Sequence, residues 1–195
     1  HKWPILWALH KVHHSAEVLT PLTVYRTHPL EGIVFTIRGT FTQGISISFF
    51  IFFFGNSVDL LTVLGANLFL FLFNTAGSNL RHSHIGIRYW SWLEYILISP
   101  AQHQLHHSID IAHHDKNFGA ALAIWDYVFG SLHHSEEIEN LHLGIGTDDK
   151  NFNKLSTLYL SPVLEIIQIL GHRTGNIFSK LKSIKKGNTA FAIDI

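Results

Sequence analysis

Two long apolar runs dominate the pattern of hydrophobic and polar positions along the chain. The first covers residues 33–54 and the second covers residues 58–77, and a Gly-Asn-Ser turn at 55–57 separates them. Each run has about the 20 residues that a membrane-spanning helix needs. The stretch SISFFIFFFG in the first run has no polar face to present to water. The pattern therefore predicts a transmembrane helical hairpin, and a buried hairpin in a soluble core is the alternative.

Shorter segments with helical patterns flank the predicted hairpin. Residues 1–20 predict one helix, and the Trp- and Tyr-rich residues 79–100 predict a helix at the membrane interface. Residues 115–132 contain another apolar segment of about three turns. Residues 161–171 predict a surface helix, and the basic tail from residue 172 onward is expected to be mobile.

The composition agrees with a membrane protein. Charged residues make up 14% of the chain, against roughly 25% in a typical soluble domain. The net charge is zero, so bulk electrostatics give no reason to expect a nucleic-acid partner. There is no cysteine, which excludes disulfides and zinc–thiolate sites. We therefore expect an all-α integral membrane helical bundle.

The distribution of arginines predicts the orientation of the hairpin. Its tip has no Lys or Arg, whereas Arg26, Arg38, Arg81 and Arg88 lie on the side of its two ends. The positive-inside rule then places both ends, and the histidine clusters near them, on the cytoplasmic side. Arg38 is expected near the interface, where its long side chain can reach the headgroups.

Histidine is the residue that points to chemistry. The 16 histidines include two identical triplets, in LHKVHHS at residues 9–15 and in QHQLHHS at residues 102–108. Side chains at i, i+3 and i+4 share one face of a helix, so each triplet can hold one metal ion. The two triplets are His10, His13 and His14, and His103, His106 and His107. Iron suits an imidazole-rich site with open positions, although zinc and copper also accept imidazole.

The combination of HxxHH, an apolar hairpin, a second HxxHH and the ending DKNFG…WDYVFGSL resembles the fatty acid hydroxylase superfamily. This group of membrane di-iron enzymes includes sterol desaturases and sphingolipid hydroxylases. The resemblance covers residues 1–132, so this part is expected to be the catalytic domain, and residues 133–195 a polar C-terminal extension. It also implies two iron ions, dioxygen, a lipid substrate and an electron-donor protein.

Further ligands are implied by the same resemblance. The family has an HxxxH box before its first HxxHH, and His1 stands where the second histidine of that box is expected, nine residues before His10. Its partner would lie four residues before this chain begins, so the chain resembles a family member truncated at its N-terminus. A later family motif matches HSHIGIR at His82 or His84, and the spacing to His103 slightly favours His84. The expected ligands are thus His1, His10, His13, His14, His82, His84, His103, His106 and His107.

Ligating histidines usually donate their second N–H to a carboxylate or a carbonyl group. Candidates for a hydrogen bond to the second ring nitrogen of a ligating histidine are His28, His113, Asp115 and Asn117, and Glu17 is a weaker candidate. For His28, a hydrogen bond to the backbone is an equal alternative. The remaining histidines considered, which are expected at the surface, are His133, His134, His142 and His172.

The resemblance implies an oxidoreductase that uses dioxygen and two electrons to hydroxylate or desaturate a C–H bond of a sterol, sphingoid base or fatty acyl chain. The electrons are expected from a separate reductase or cytochrome, or from a pterin, because the sequence contains neither GxGxxG nor CxxCH. One alternative is a zinc-dependent membrane hydrolase, although HExxH is absent and eight imidazoles exceed the three protein ligands typical of catalytic zinc. The other is a non-enzymatic membrane metal-binding protein of the same fold.

Overall fold

The computed structural model describes residues 1–75, 79–135, 141–146, 152 and 154–189. Within these residues the fold is all-α, as predicted, and contains no β-strand. The helices are α1 (Pro4–His14), α2 (Pro29–Phe54), α3 (Leu60–Phe73), α4 (Asn79–Arg81), α5 (Pro100–His106), α6 (Ile124–Phe129) and α7 (Leu155–Thr189). Short 3-10 turns occur at Pro21–Tyr25, Gly55–Ser57, Leu93–Tyr95 and Ile111–His113.

The helices that carry the histidine triplets start at well-defined residues. Both α1 and α5 have a proline in their first turn, where the missing N–H costs no hydrogen bond. Before α5, the Ser99 hydroxyl accepts a hydrogen bond from the Gln102 backbone at 3.1 Å, and the Gln102 side chain accepts one from the Ser99 backbone at 3.0 Å. This capping box fixes the register of α5 and therefore the direction of its histidines.

The core of the protein is small and lies between α1, α5 and the segments next to them. Its buried apolar side chains interlock beside the histidines. They are Ala8, Leu9, Val12, Ala16, Leu19, Ile98, Ala101, Leu105, Ala123 and Phe152.

The predicted hairpin is present as two helices, but the two differ in length. Helix α2 has 26 residues, a length of about 39 Å, and among the described residues it is the one helix long and apolar enough to cross a membrane. Helix α3 has 14 residues, about 21 Å, which is less than the roughly 30 Å of a hydrocarbon core. Asp59 accepts a hydrogen bond from the Thr62 backbone at 2.7 Å and so caps the start of this helix at residue 60.

The prediction of an interfacial helix over residues 79–100 is wrong. This segment contains the single turn α4 and one 3-10 turn, and the rest is irregular. Its backbone groups bond to distant parts of the chain: Ile98 donates to Ala121 at 2.9 Å, and Ile96 accepts from Ala123 at 2.8 Å. The aromatic composition suggested the membrane interface, but it carries no information about helical periodicity.

The C-terminal helix α7 is longer than the predicted surface helix at 161–171. It continues to Thr189, so the described part of the tail from residue 172 is helical, and the expected mobility of the tail stays a prediction. It packs against α1, and Lys11 of α1 forms an ion pair with Glu165 of α7. The predicted three-turn segment within 115–132 is in contrast only the short helix α6.

Candidate metal centre

Eight histidines converge in two groups of four. In each group the candidate ligand atoms all lie within 4.8 Å of one another. The outer group, which is partly exposed, consists of His1, His10, His14 and His106. The inner group, which is buried, consists of His13, His82, His103 and His107.

The two triplets are interleaved between these groups, which differs from the prediction of one metal for each triplet. His10 and His14, which are four residues apart on α1, face the outer group, while His13 between them faces the inner group. On α5 and its C-cap the division is reversed, because His103 and His107 face the inner group and His106 faces the outer one. Residues at i and i+4 point in more similar directions than residues at i and i+3, and the helices pack so that each group takes one such pair.

The nitrogens of the inner group have the spacing that a common ion requires. The Nε2 atom of His82 lies 3.1 Å from Nε2 of His13 and 3.0 Å from Nε2 of His103, and Nε2 of His103 lies 3.2 Å from Nε2 of His107. These separations bring the ring nitrogens close enough to share one ion. The donor set of four imidazoles therefore fits a single metal ion.

One ring nitrogen of the outer group also needs a partner. Nε2 of His14 is buried and has no hydrogen-bond partner among the described residues. An unpaired buried nitrogen is costly, and a metal ion at the group would satisfy it.

Burial favours the neutral form of five of the eight histidines. Desolvation, followed by the neighbouring histidines, lowers the pKa of His13 to about 3, and desolvation is also the main cause that lowers the pKa of His106 to about 4. Burial holds the pKa values of His14, His103 and His107 well below 6.5. At neutral pH these rings therefore carry the free lone pairs that metal binding requires.

Two groups behind the outer histidines orient their rings. His10 donates from Nδ1 to the Glu31 carboxylate at 2.5 Å, and His106 donates from Nδ1 to the Lys116 carbonyl at 2.8 Å. Both bonds leave Nε2 free to face the group. Sequence reasoning missed Glu31. Its signal was a single carboxylate in the first turn of an apolar helix.

The four residues proposed to support the ligands make other contacts. His28 accepts from the Leu30 backbone at 3.2 Å and donates to the Tyr159 carbonyl at 3.0 Å, so it caps α2 through backbone bonds. His113 Nδ1 lies 3.0 Å from the Ser108 hydroxyl. Asp115 is exposed, and the buried Asn117 donates to the carbonyls of Gln102 and His133 at 3.1 and 2.9 Å. His28, His113 and Asn117 therefore form hydrogen bonds to neighbouring segments of the chain. The Glu31 carboxylate and the Lys116 carbonyl, in contrast, accept hydrogen bonds from the imidazoles directly.

Of the remaining predicted histidines, His82 belongs to a group and the others lie outside both groups. His82 belongs to the inner group, while His84, which the spacing slightly favoured, is exposed and belongs to neither group. His133 and His134 are half-buried rather than at the surface, and His134 lies 3.4 Å from a Glu94 oxygen. His142 and His172 are exposed as expected.

The loop that supplies the Lys116 carbonyl is fixed by a buried carboxylate. Asp126 accepts from the backbone N–H groups of Phe118 and Gly119, both at 2.8 Å, and from the Ser131 hydroxyl at 2.6 Å. Asp115 and Asn117 on either side of Lys116 have φ values of 58° and 52°, a left-handed conformation that Asp and Asn tolerate better than most residues. The loop conformation is therefore encoded locally.

A cavity of about 460 Å³ borders both groups of histidines. One of its walls is the N-terminal part of α2, from Glu31 to Arg38, and Leu6, Leu9 and Phe118 add further apolar surface. A second cavity of about 410 Å³ reaches the outer group from another side, between His14 and the exposed Asp115. The site thus has one largely apolar approach and one more polar approach.

Comparison with known proteins gives consistent results. The sequence model of the fatty acid hydroxylase family matches residues 1–131. Ornithine lipid hydroxylase OlsE of Rhizobium tropici is 27% identical over 149 residues, which are 74% of this chain and 39% of that protein. Human alkylglycerol monooxygenase is 30% identical over 137 residues, 70% of this chain and 27% of that protein. The chain therefore spans well under half the length of these relatives, and no solved structure matches it.

Proposed function

Because the chain belongs to the fatty acid hydroxylase family, we propose that it is the catalytic part of a membrane oxidoreductase that uses dioxygen and two iron ions to hydroxylate a lipid. The observation that carries this proposal is the pair of histidine groups, in each of which four imidazoles bring their candidate ligand atoms within 4.8 Å of one another. The names of the relatives, a lipid hydroxylase and a lipid monooxygenase, favour hydroxylation over desaturation.

The inner and the outer group would each hold one iron ion. Eight imidazoles exceed what a catalytic zinc site uses, and imidazole-rich sites with open positions suit iron. Iron bound there would supply the chemistry by which dioxygen, two external electrons and two protons convert a C–H bond to C–OH, with the second oxygen released as water.

The side chains around the ions position the ligands and the substrate. Glu31 and the Lys116 carbonyl each hold a proton on Nδ1 of a histidine, which fixes the ring orientation. The apolar residues of the cavity of about 460 Å³, such as Leu9, Val34 and Phe35, would contact the hydrocarbon part of the lipid and exclude water. No side chain needs to act as an acid or base on the substrate carbon.

The membrane would be reached through α2. The helix passes the length and hydropathy requirements for a span, and its N-terminal end lies at the histidine site. With the arginines on the same side, the positive-inside rule places the site on the cytoplasmic face. There it would receive electrons from a separate reductase, a cytochrome or a pterin.

Oxygen-isotope labelling tests the proposal. The full-length iron-loaded protein is supplied with ¹⁸O₂, a chemical reductant and a total lipid extract, and the products are analysed by mass spectrometry. We expect a lipid product that carries one ¹⁸O atom and that is absent from the zinc-loaded protein. Lipid cleavage by the zinc-loaded protein, without ¹⁸O from dioxygen in the products, would support the hydrolase alternative, and iron binding without any oxidised lipid would support the non-enzymatic one.

A further inference from the structure

One face of α2 forms a wall of the cavity beside the histidines. Glu31, Val34, Phe35 and Arg38 are spaced at i, i+3, i+4 and i+7 and therefore lie on one stripe of the helix. All four line the cavity of about 460 Å³ that also borders six of the histidines. The stripe has a carboxylate at one end, apolar side chains in the middle and a guanidinium at the other end.

The two charged ends of this stripe differ in their surroundings. Glu31 is only 5% exposed; one carboxylate oxygen accepts from His10, and the other has no hydrogen-bond partner among the described residues. Arg38 lies seven residues further, which is about 10 Å along the helix axis. Its guanidinium packs over the Phe35 ring at 5.1 Å and pairs with no carboxylate in the described part of the chain. An arginine in an otherwise apolar helix is costly and often marks a substrate path.

We propose that Arg38 binds the anionic group, a phosphate or carboxylate, of the lipid substrate. This inference rests on the proposed function and specifies which lipids the site accepts. The planar guanidinium can donate two parallel hydrogen bonds to such a group. Arg38 lies at the end of the stripe away from the histidines, so an anionic group bound there leaves the hydrocarbon part of the lipid to lie along the apolar side chains toward the site.

The length of the stripe then limits which carbons can reach the histidines. With the anionic group at Arg38, the carbon chain would lie along Val34 and Phe35 toward Glu31, and Glu31 and Arg38 are about 10 Å apart along the helix axis. The site would therefore oxidise a carbon on the part of the chain that follows the anionic group. Arg81, beside His82, adds a second positive charge to the same cavity, so the test must separate it from Arg38.

The test measures binding of defined short-chain lipids to the full-length iron-loaded protein in an uncharged detergent. Dihexanoylphosphatidic acid and the uncharged dihexanoylglycerol are titrated by calorimetry. We expect the acid to bind the wild-type protein at least about tenfold more tightly, as for a charge-assisted hydrogen-bonded pair. Arg38→Gln should remove this preference, and Arg38→Lys should retain part of it. The matched control Lys154→Gln removes an exposed cation at the start of α7 and should change nothing.

Other outcomes would overturn the inference. If Arg38→Gln keeps the full preference for the acid, Arg38 does not bind the substrate anion. Its guanidinium would then contact only the headgroups of surrounding membrane lipids, and Arg81 would be the residue that binds the anion. If inorganic phosphate alone binds as tightly as the lipid acid, the site is a free-anion site. The iron content of every sample is measured as well, because a wild-type protein without iron would contradict the proposed function and leave the lipid preference as a separate result.

Discussion

The imidazole rings of His14 and His107 stack with their centroids 4.2 Å apart and their planes 23° from parallel. His14 comes from α1 and belongs to the outer group, whereas His107 ends α5 and belongs to the inner group. This pair is the wall that the two groups share. A change in either ring therefore affects both metal positions.

Replacement of His107 by Ala should weaken metal binding at both groups of histidines, although His107 belongs only to the inner one. It removes a nitrogen of the inner group and the ring against which His14 packs. We expect iron to fall from about two ions per chain to one or fewer, with loss of lipid oxidation, because a ligand and its support are lost together. Elemental analysis of the purified protein measures the ratio. The control His142→Ala removes an exposed ring outside both groups and should keep full iron; equal losses in both variants would contradict the assignment.

The carboxylate of Glu31 should matter for metal affinity although it belongs to neither group. Glu31→Gln keeps an acceptor for His10 but removes the charge, so we expect iron affinity to fall about tenfold, and Glu31→Leu, which removes the acceptor, up to about 100-fold. Competition with a chelator of known affinity provides the measurement. Glu17→Gln is the matched control, since Glu17 is exposed. An unchanged affinity in Glu31→Leu would show that the bond to His10 does not orient the ligand.

Asp126 should be important for stability. It is 2% exposed and accepts three hydrogen bonds from the loop beside His106. Asp126→Asn places an amide N–H against backbone donors, and we expect a loss of about 2–3 kcal/mol in the free energy of unfolding, seen as a lower melting temperature. Asp115→Asn should be neutral, because Asn also adopts the left-handed conformation at this exposed position. Similar melting temperatures for the two variants would mean that the Asp126 bonds are not stabilising.

Gly119 should not tolerate a side chain. A Cβ atom there would lie 2.4 Å from the Leu122 carbonyl oxygen and 2.8 Å from an Asp126 oxygen. Since backbone would have to move, we expect Gly119→Ala to destabilise the protein by about 1–3 kcal/mol. Gly39→Ala in α2 meets nothing within 4 Å and should leave the melting temperature unchanged or slightly higher. Thermal unfolding of both variants in the same detergent decides the comparison.

The sequence predicted which histidines lie close together better than it predicted how they divide into two groups. Spacing identified His10 and His103 with their neighbours, because i, i+3 and i+4 positions are local. The division of each triplet between two groups depends on how α1 packs against α5, which no local pattern records. Glu31 escaped notice for the same reason, since its partner His10 lies 21 residues away.

The errors in the fold prediction have a physical origin too. Trp and Tyr in residues 79–100 reported a preference for an interface, not a helical repeat. The apolar run at 58–77 is longer than α3 because apolar composition does not mark where a helix begins and ends, and the Asp59 cap sets its start at residue 60. The described part of the basic tail after residue 172 is helical, since lysine is a good helix former.

The interleaving of the triplets also has a consequence for biosynthesis. Neither triplet alone supplies the four nitrogens of a group, so a nascent chain that has emerged only as far as His14 offers no complete coordination site. In the proposed two-iron site, metal capture would wait until His107 has been synthesised and α5 has docked on α1. From then on, each ion would cross-link positions about 90 residues apart in the sequence and restrict the unfolded chain much as a disulfide does, in a sequence that contains no cysteine.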